Sequence, residues 1–95
     1  MKSELYESAM RVVCAHTEIE RELVLSSNRE DCVDARCLLV YALYRIGLTD
    51  NEIANLMGLT RPCISKLRVS FGDRKSKRMF SILWKQISNE LEINT

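Results

Sequence analysis

Ninety-five residues, 46% of them hydrophobic and 28% charged, suffice for one domain with a core of its own. The longest uncharged apolar run, CLLVYALY from Cys37 to Tyr44, is far shorter than the roughly 20 residues a membrane-spanning helix needs. The start, MKSELYESAMRVV, mixes acids among its apolar residues, unlike a secretory leader, so a cytoplasmic single-domain protein with no membrane partner is expected.

Helix signals follow one another along the chain, and no convincing strand pattern interrupts them. Leu5, Ala9, Val12 and Val13 recur at helical spacing behind Ser3, which predicts a helix near residues 3–15. Two Thr-x-x-Glu boxes come next, Thr17 with Glu20 and Thr49 with Glu52. In such a box the hydroxyl accepts from the third backbone N–H while the carboxylate reaches back to the cap, so each predicts the start of a short helix. Ser26, Ser27 and Asn28 break the pattern after the first box. A helix from about Asp31 to Ile46 follows; its second half, CLLVYALYRI, is apolar on nearly every face, the mark of a buried central helix. Gly47 ends it.

Beyond the second box, Ile53 and small Ala54 lie on a short helix, and Gly58 supplies the positive φ of a sharp turn. Leu59 can plug that turn, Thr60 suits an N-cap, and Pro62 falls in the first turn of the next helix, where its missing N–H costs nothing. Ile64, Leu67 and Phe71 give this helix a buried stripe, and Phe80, Leu83, Trp84, Ile87 and Leu91 give a final amphipathic helix a stripe directed at the core. The expectation is an all-α bundle of about six helices, a single domain over residues 1–95 with a helical hairpin at about 49–71.

Enzymatic and metal chemistry find no support in the spacings. Cys32 and Cys37 are separated by four residues, Cys14 and Cys63 make no second close pair, and the lone His16 cannot complete a tetrahedral site. The four thiols read as small buried apolar side chains, and His16 as part of a helix end rather than a base, since no nucleophile motif accompanies it. Gly47, Gly58 and Gly72 stand singly, about one per helix end, and make no phosphate-binding loop. No catalytic residue, metal or cofactor is expected.

The net charge of +1 conceals a sharp segregation. Residues 1–60 hold six Lys/Arg against ten Asp/Glu, residues 61–78 hold seven against one, and residues 79–95 hold one against two. The basic run begins on the second helix of the hairpin. At 100° per residue, the side opposite Ile64, Leu67 and Phe71 carries Pro62, Ser65, Lys66 and Val69, flanked by Arg61 and Arg68. Such a face suits a major groove: Arg and Lys bond guanine edges or phosphates, Ser donates or accepts, and Val or Pro can touch a thymine methyl. Small Ala54, turn Gly58, apolar Ile64 and a basic outer face, taken jointly, resemble the helix-turn-helix family.

From about Val12 to Phe71 the order of signals also resembles the C-terminal DNA-binding domain of the bacterial replication initiator DnaA, which shares a superfamily fold with the Trp repressor. The segments that carry the resemblance are TEIERELVLSSNRE, VDARCLLVYAL and GLTDNEIANLMG, in that order, and the stretch from Val12 to Phe71 that contains them covers about two thirds of the chain. The chain departs from the family where the recognition helix carries Asp-His-Thr-Thr, for here Thr60 to Cys63 read TRPC. The family's basic loop is SSNRED here, with Arg29 its only cation, so the resemblance places a minor-groove contact on Arg29. With no nucleotide-binding domain ahead of it, the chain looks like a small transcriptional regulator or replication accessory factor rather than an initiator.

The expected function is therefore sequence-specific binding of double-stranded DNA, with a second copy of the chain as a further candidate partner. Arg61, Ser65 and Lys66 would read base edges, with Thr60, Pro62 and Val69 on the same surface, and Arg68, Arg74, Lys75, Lys77 and Arg78 would hold phosphates. The rival expectation is a small helical adaptor that binds another protein through the Trp84 stripe, its basic segment serving solubility. A catalytic thiol protein is a third, more remote one, for lack of a paired base.

Overall fold

The computed structural model describes residues 1–94 and forms, among them, six helices and no strand: α1 (Lys2–Thr17), α2 (Arg21–Ser26), α3 (Glu30–Ile46), α4 (Asp50–Met57), α5 (Arg61–Arg74) and α6 (Arg78–Glu90). Each connection is three residues long, short enough that successive helices turn sharply onto one another. The all-α expectation and its helix count hold.

The centre is α3, which packs against all five other helices. Its second half is apolar all round because it has no solvent side: Cys37, Leu38, Leu39, Val40, Ala42 and Leu43 have no exposed surface. Only at its end does it surface, where Tyr44 is exposed, and Gly47 at φ +123° closes it in a conformation that β-carbon-bearing residues avoid. Across the bundle, Tyr41 stacks on Phe71 of α5 at 3.7 Å between ring centres, and Trp84 of α6 meets both rings edge-on at 5.1 and 5.2 Å. Phe80 and Ile87 are buried beside them, and Leu83 and Leu91 pack partly against the same core. The Trp84 stripe is thus directed at the core, with Phe80 and Ile87 buried and Leu83, Trp84 and Leu91 partly so.

Three local expectations change. The inward stripe of α1 keeps Ala9, Val12 and Val13 but adds Tyr6 and Met10, so the buried side is turned slightly from the expected one and Leu5 lies half in solvent. Thr17 does not cap α2. Its hydroxyl donates back to the Val13 carbonyl at 2.7 Å as the last residue of α1, and Glu18 then turns left-handed at φ +59° so that Ile19 can bury. The cap of α2 is Glu20, with extended backbone and no side-chain bond. Nor does Gly72 end its helix. α5 continues to Arg74 and stops at Lys75, its last turn anchored by Arg74 on Asp34 of α3.

The second Thr-x-x-Glu box forms as predicted. Thr49 Oγ1 accepts from Glu52 N–H at 3.2 Å, and Glu52 Oε1 accepts from Thr49 N–H at 2.8 Å. Gly58 then adopts φ +70°, and the N–H groups of Gly58 and Leu59 both reach the Ala54 carbonyl, closing α4. Thr60 Oγ1 accepts from Cys63 N–H at 3.3 Å and opens α5, with Pro62 in its first turn. These caps fix the angle at which α5 leaves the bundle. Among the described residues, no helix is long and apolar enough to cross a membrane.

Candidate nucleic-acid interface

The α4–α5 hairpin places the inner side of α5 in the core and its outer side in solvent. Ile64 is fully buried, and Leu67 and Phe71 are nearly so. On the opposite side Arg61, Pro62 and Lys66 are exposed and Val69 is 69% exposed, while Ser65 and Arg68 on one flank are half-buried. One turn beyond Val69 the same side carries Gly72 and exposed Asp73, so the cationic outer surface is confined to the first half of the helix.

The seven cations of residues 61–78 fall into two groups. Arg68 forks onto Asp50 at the start of α4, Nε to Oδ1 at 3.0 Å and Nη2 to Oδ2 at 2.9 Å, and its guanidinium lies 4.8 Å from the Tyr44 ring centre. Arg74 reaches Asp34 of α3 at 2.5 Å, and Lys77 reaches both Asp34, at 3.0 Å, and Glu30, at 2.8 Å. These three are committed to carboxylates of α3 and α4. No carboxylate of the described residues pairs with Arg61, Lys66, Lys75 or Arg78.

The pairing leaves its mark on the acids. Hydrogen bonds from Arg68, then from Ser65, with the nearby charge of Arg61, hold the Asp50 carboxyl below the usual carboxylate range. The bond from Lys77 does the same for Glu30, and both Arg68 and Lys77 are held more firmly protonated in return. Arg29 sits at the N-cap of α3, exposed, with its guanidinium on Asp31 at 3.2 Å. Bonding to Asp31 keeps Arg29 charged but also occupies it.

Three residues that sequence reasoning did not single out therefore shape the surface: Asp50, Asp34 and Glu30. A signal for them was present in the excess of acids over bases in residues 1–60, since a basic helix folding back onto such a segment will meet carboxylates. Which cation meets which acid depends on helix packing and has no local signature.

His16, in the last turn of α1, bonds Glu90 of α6 through Nε2 at 2.7 Å. All four cysteines are free. Cys32 and Cys37 are buried as expected, while Cys14 and Cys63 are only half-buried. Burial pushes the Cys37 and Cys14 thiols up, away from the thiolate a nucleophile needs, and Cys37 Sγ lies 3.2 Å from the Leu67 carbonyl. Among the described residues, no group of three or more His, Cys, Asp or Glu is placed to hold a metal ion. Compared with family models, with curated proteins and with solved structures, the chain matches none.

Proposed function

We propose that the protein binds double-stranded DNA in the manner of helix-turn-helix proteins, laying the first half of α5 in the major groove as a small transcriptional regulator or replication accessory factor. The observation that carries this reading is the division of α5 into two sides. Its apolar stripe is consumed by the core, yet its outer side offers unpaired Arg61 and Lys66 next to exposed Pro62 and Val69. None of the four side chains is buried in the core, and neither cation forms an ion pair among the described residues. Together they supply cations for guanine edges or phosphates and apolar atoms for a thymine methyl, as an inserted helix requires. The resemblance to the DnaA and Trp repressor superfamily supports the same reading.

The ion pairs refine the roles within it. Arg61 and Lys66 are the base-edge candidates, and Lys75 and Arg78, past the end of α5, are free for phosphates. Arg68 and Arg74 serve chiefly to hold α5 against α4 and α3, Lys77 at the start of α6 holds the connection after α5 to α3, and Arg29 must leave Asp31 before it can enter a minor groove.

The test is a titration of random duplex DNA across salt concentrations. Neutralising one phosphate contributes a log–log slope of about −0.9, so Lys75 and Arg78 on phosphates give roughly −1.8, whereas engagement of all seven cations with phosphates would give roughly −6.3. Absence of duplex binding at low salt would refute the proposal.

A further inference from the structure

Asp50 lies at the first position of α4, its side chain only 13% exposed, yet it touches two of the side chains that α5 turns toward its outer flank. Its Oδ2 receives Ser65 Oγ at 2.8 Å and Arg68 Nη2 at 2.9 Å, and its Oδ1 receives Arg68 Nε at 3.0 Å. The N-terminal end of a helix favours a negative group, and a fork-on-fork arginine pair favours it further, so this carboxylate is ionised. An ionised carboxylate can only accept. The proton in the Ser65–Asp50 bond is therefore the serine's own, and Ser65 has no hydrogen left to donate outward.

We infer that Asp50 sets the hydrogen-bond polarity of the reading surface: it makes Ser65 an acceptor only, so that Ser65 selects an exocyclic amino group, adenine N6 or cytosine N4, on the strand it faces, and it withholds Arg68 from phosphates. The inference rests on the proposed DNA binding. A free serine hydroxyl serves either kind of base edge and discriminates little. Anchored to Asp50, it offers lone pairs to A or C and repels the carbonyl edge of G or T. Asp50 is thus a positioning residue that confers specificity without touching DNA.

The experiment begins with sequences selected from a random duplex pool by the wild-type chain, followed by replacement of each adenine in the site by purine, which lacks the N6 amino group, and of each cytosine by the analogue lacking N4. One position should lose affinity by roughly fivefold, the worth of one hydrogen bond. D50N, whose amide can donate as well as accept, should lose this dependence, and its salt slope should steepen by about 0.9 as Arg68 becomes available. Ser65→Ala, which leaves the Asp50–Arg68 pair in place, should lose the amino dependence with no change in slope. It carries the test should D50N fold poorly by circular dichroism. If wild type binds duplex DNA but no amino deletion weakens it, or if Ser65→Ala keeps the full dependence, the inference falls while DNA binding stands. If wild type binds no duplex at all, both fall.

Discussion

On the outer side of α5, Arg61 and Lys66 stand in solvent beside Pro62 and Val69; on its flanks, further along the same helix, Arg68 and Arg74 hold Asp50 and Asp34. By sequence the four cations belong to one basic run. In the folded chain they do opposite things, because a carboxylate from another helix forms an ion pair with two of them and with neither of the others. A charge count measures what a segment contains, whereas availability to a ligand depends on which charges the fold has already neutralised. The same division holds for apolar residues, since Ile64 is fully buried while Val69 lies mostly exposed on the other side.

The largest expected effect tests that apolar division. Ile64→Ala should cost about 2–5 kcal/mol, the lost burial plus the cavity left behind, and lower the melting temperature by more than about 10 °C. Val69→Ala should stay within about 0.5 kcal/mol, since nothing packs on it. Equal losses in thermal melts would mean that α5 is turned differently about its axis.

Next in size are two changes at the hairpin. Gly58→Val should cost about 1–3 kcal/mol of stability; a Cβ at Gly58 would meet nothing within 4 Å, so the penalty comes from strain at φ +70° rather than from a clash of the Cβ. A variant with unchanged melting would show that the left-handed turn is not required. Arg61→Ala should leave melting unaltered and weaken the preferred DNA site by about 1–3 kcal/mol, relaxing discrimination at one base position. Competition against single-base variants of the selected site decides this, and a uniform loss across all of them would make Arg61 a phosphate clamp.

The two Thr-x-x-Glu boxes mark how far local sequence can be read. Thr49 and Glu52 cap α4 because Leu48 before them and Ile53 after them both bury, so packing and capping ask for the same backbone. Thr17 and Glu20 enclose Ile19, which must itself reach the core; the chain turns at Glu18 and the hydroxyl is left to close α1 instead. A capping motif is thus legible when tertiary burial agrees with it and misleading when an apolar residue lies inside it. The central helix, the Gly58 turn and the inner stripe of α5 were legible because burial there follows the helical period. The pairs Asp50–Arg68 and Asp34–Arg74 were not, since they join residues 18 and 40 apart and depend on how the helices cross.

A smaller effect follows from the depressed carboxyls of Asp50 and Glu30. A carboxyl whose folded pKa lies below its unfolded value stabilises the fold above the unfolded pKa, near 4, and that contribution is lost as pH falls through the folded value. Their partners Arg68 and Lys77, both held more firmly protonated, stay charged throughout this range. Melting temperature should therefore decline below about pH 4, and D50N should show a shallower acid limb than wild type. An identical limb would mean that the Asp50 pair adds nothing to stability.

The finest test compares adjacent residues, Arg74 and Lys75. Arg74 bonds Asp34 and Ser70 and is half-buried, whereas Lys75 is exposed with no carboxylate near it. Arg74→Ala should cost about 1 kcal/mol of stability through the lost ion pair and leave the salt dependence of duplex binding as it was. Lys75→Ala should leave stability unchanged, weaken all DNA sequences about equally and flatten the log–log salt slope by about 0.9. Thermal melts and salt titrations of the two variants, run side by side, read both quantities. If Arg74→Ala also flattens the slope, DNA phosphates outcompete Asp34 for the guanidinium and the line drawn between free and committed cations is in the wrong place; if neither does, the contact surface ends before residue 74 and rests on Arg61 and Lys66 alone.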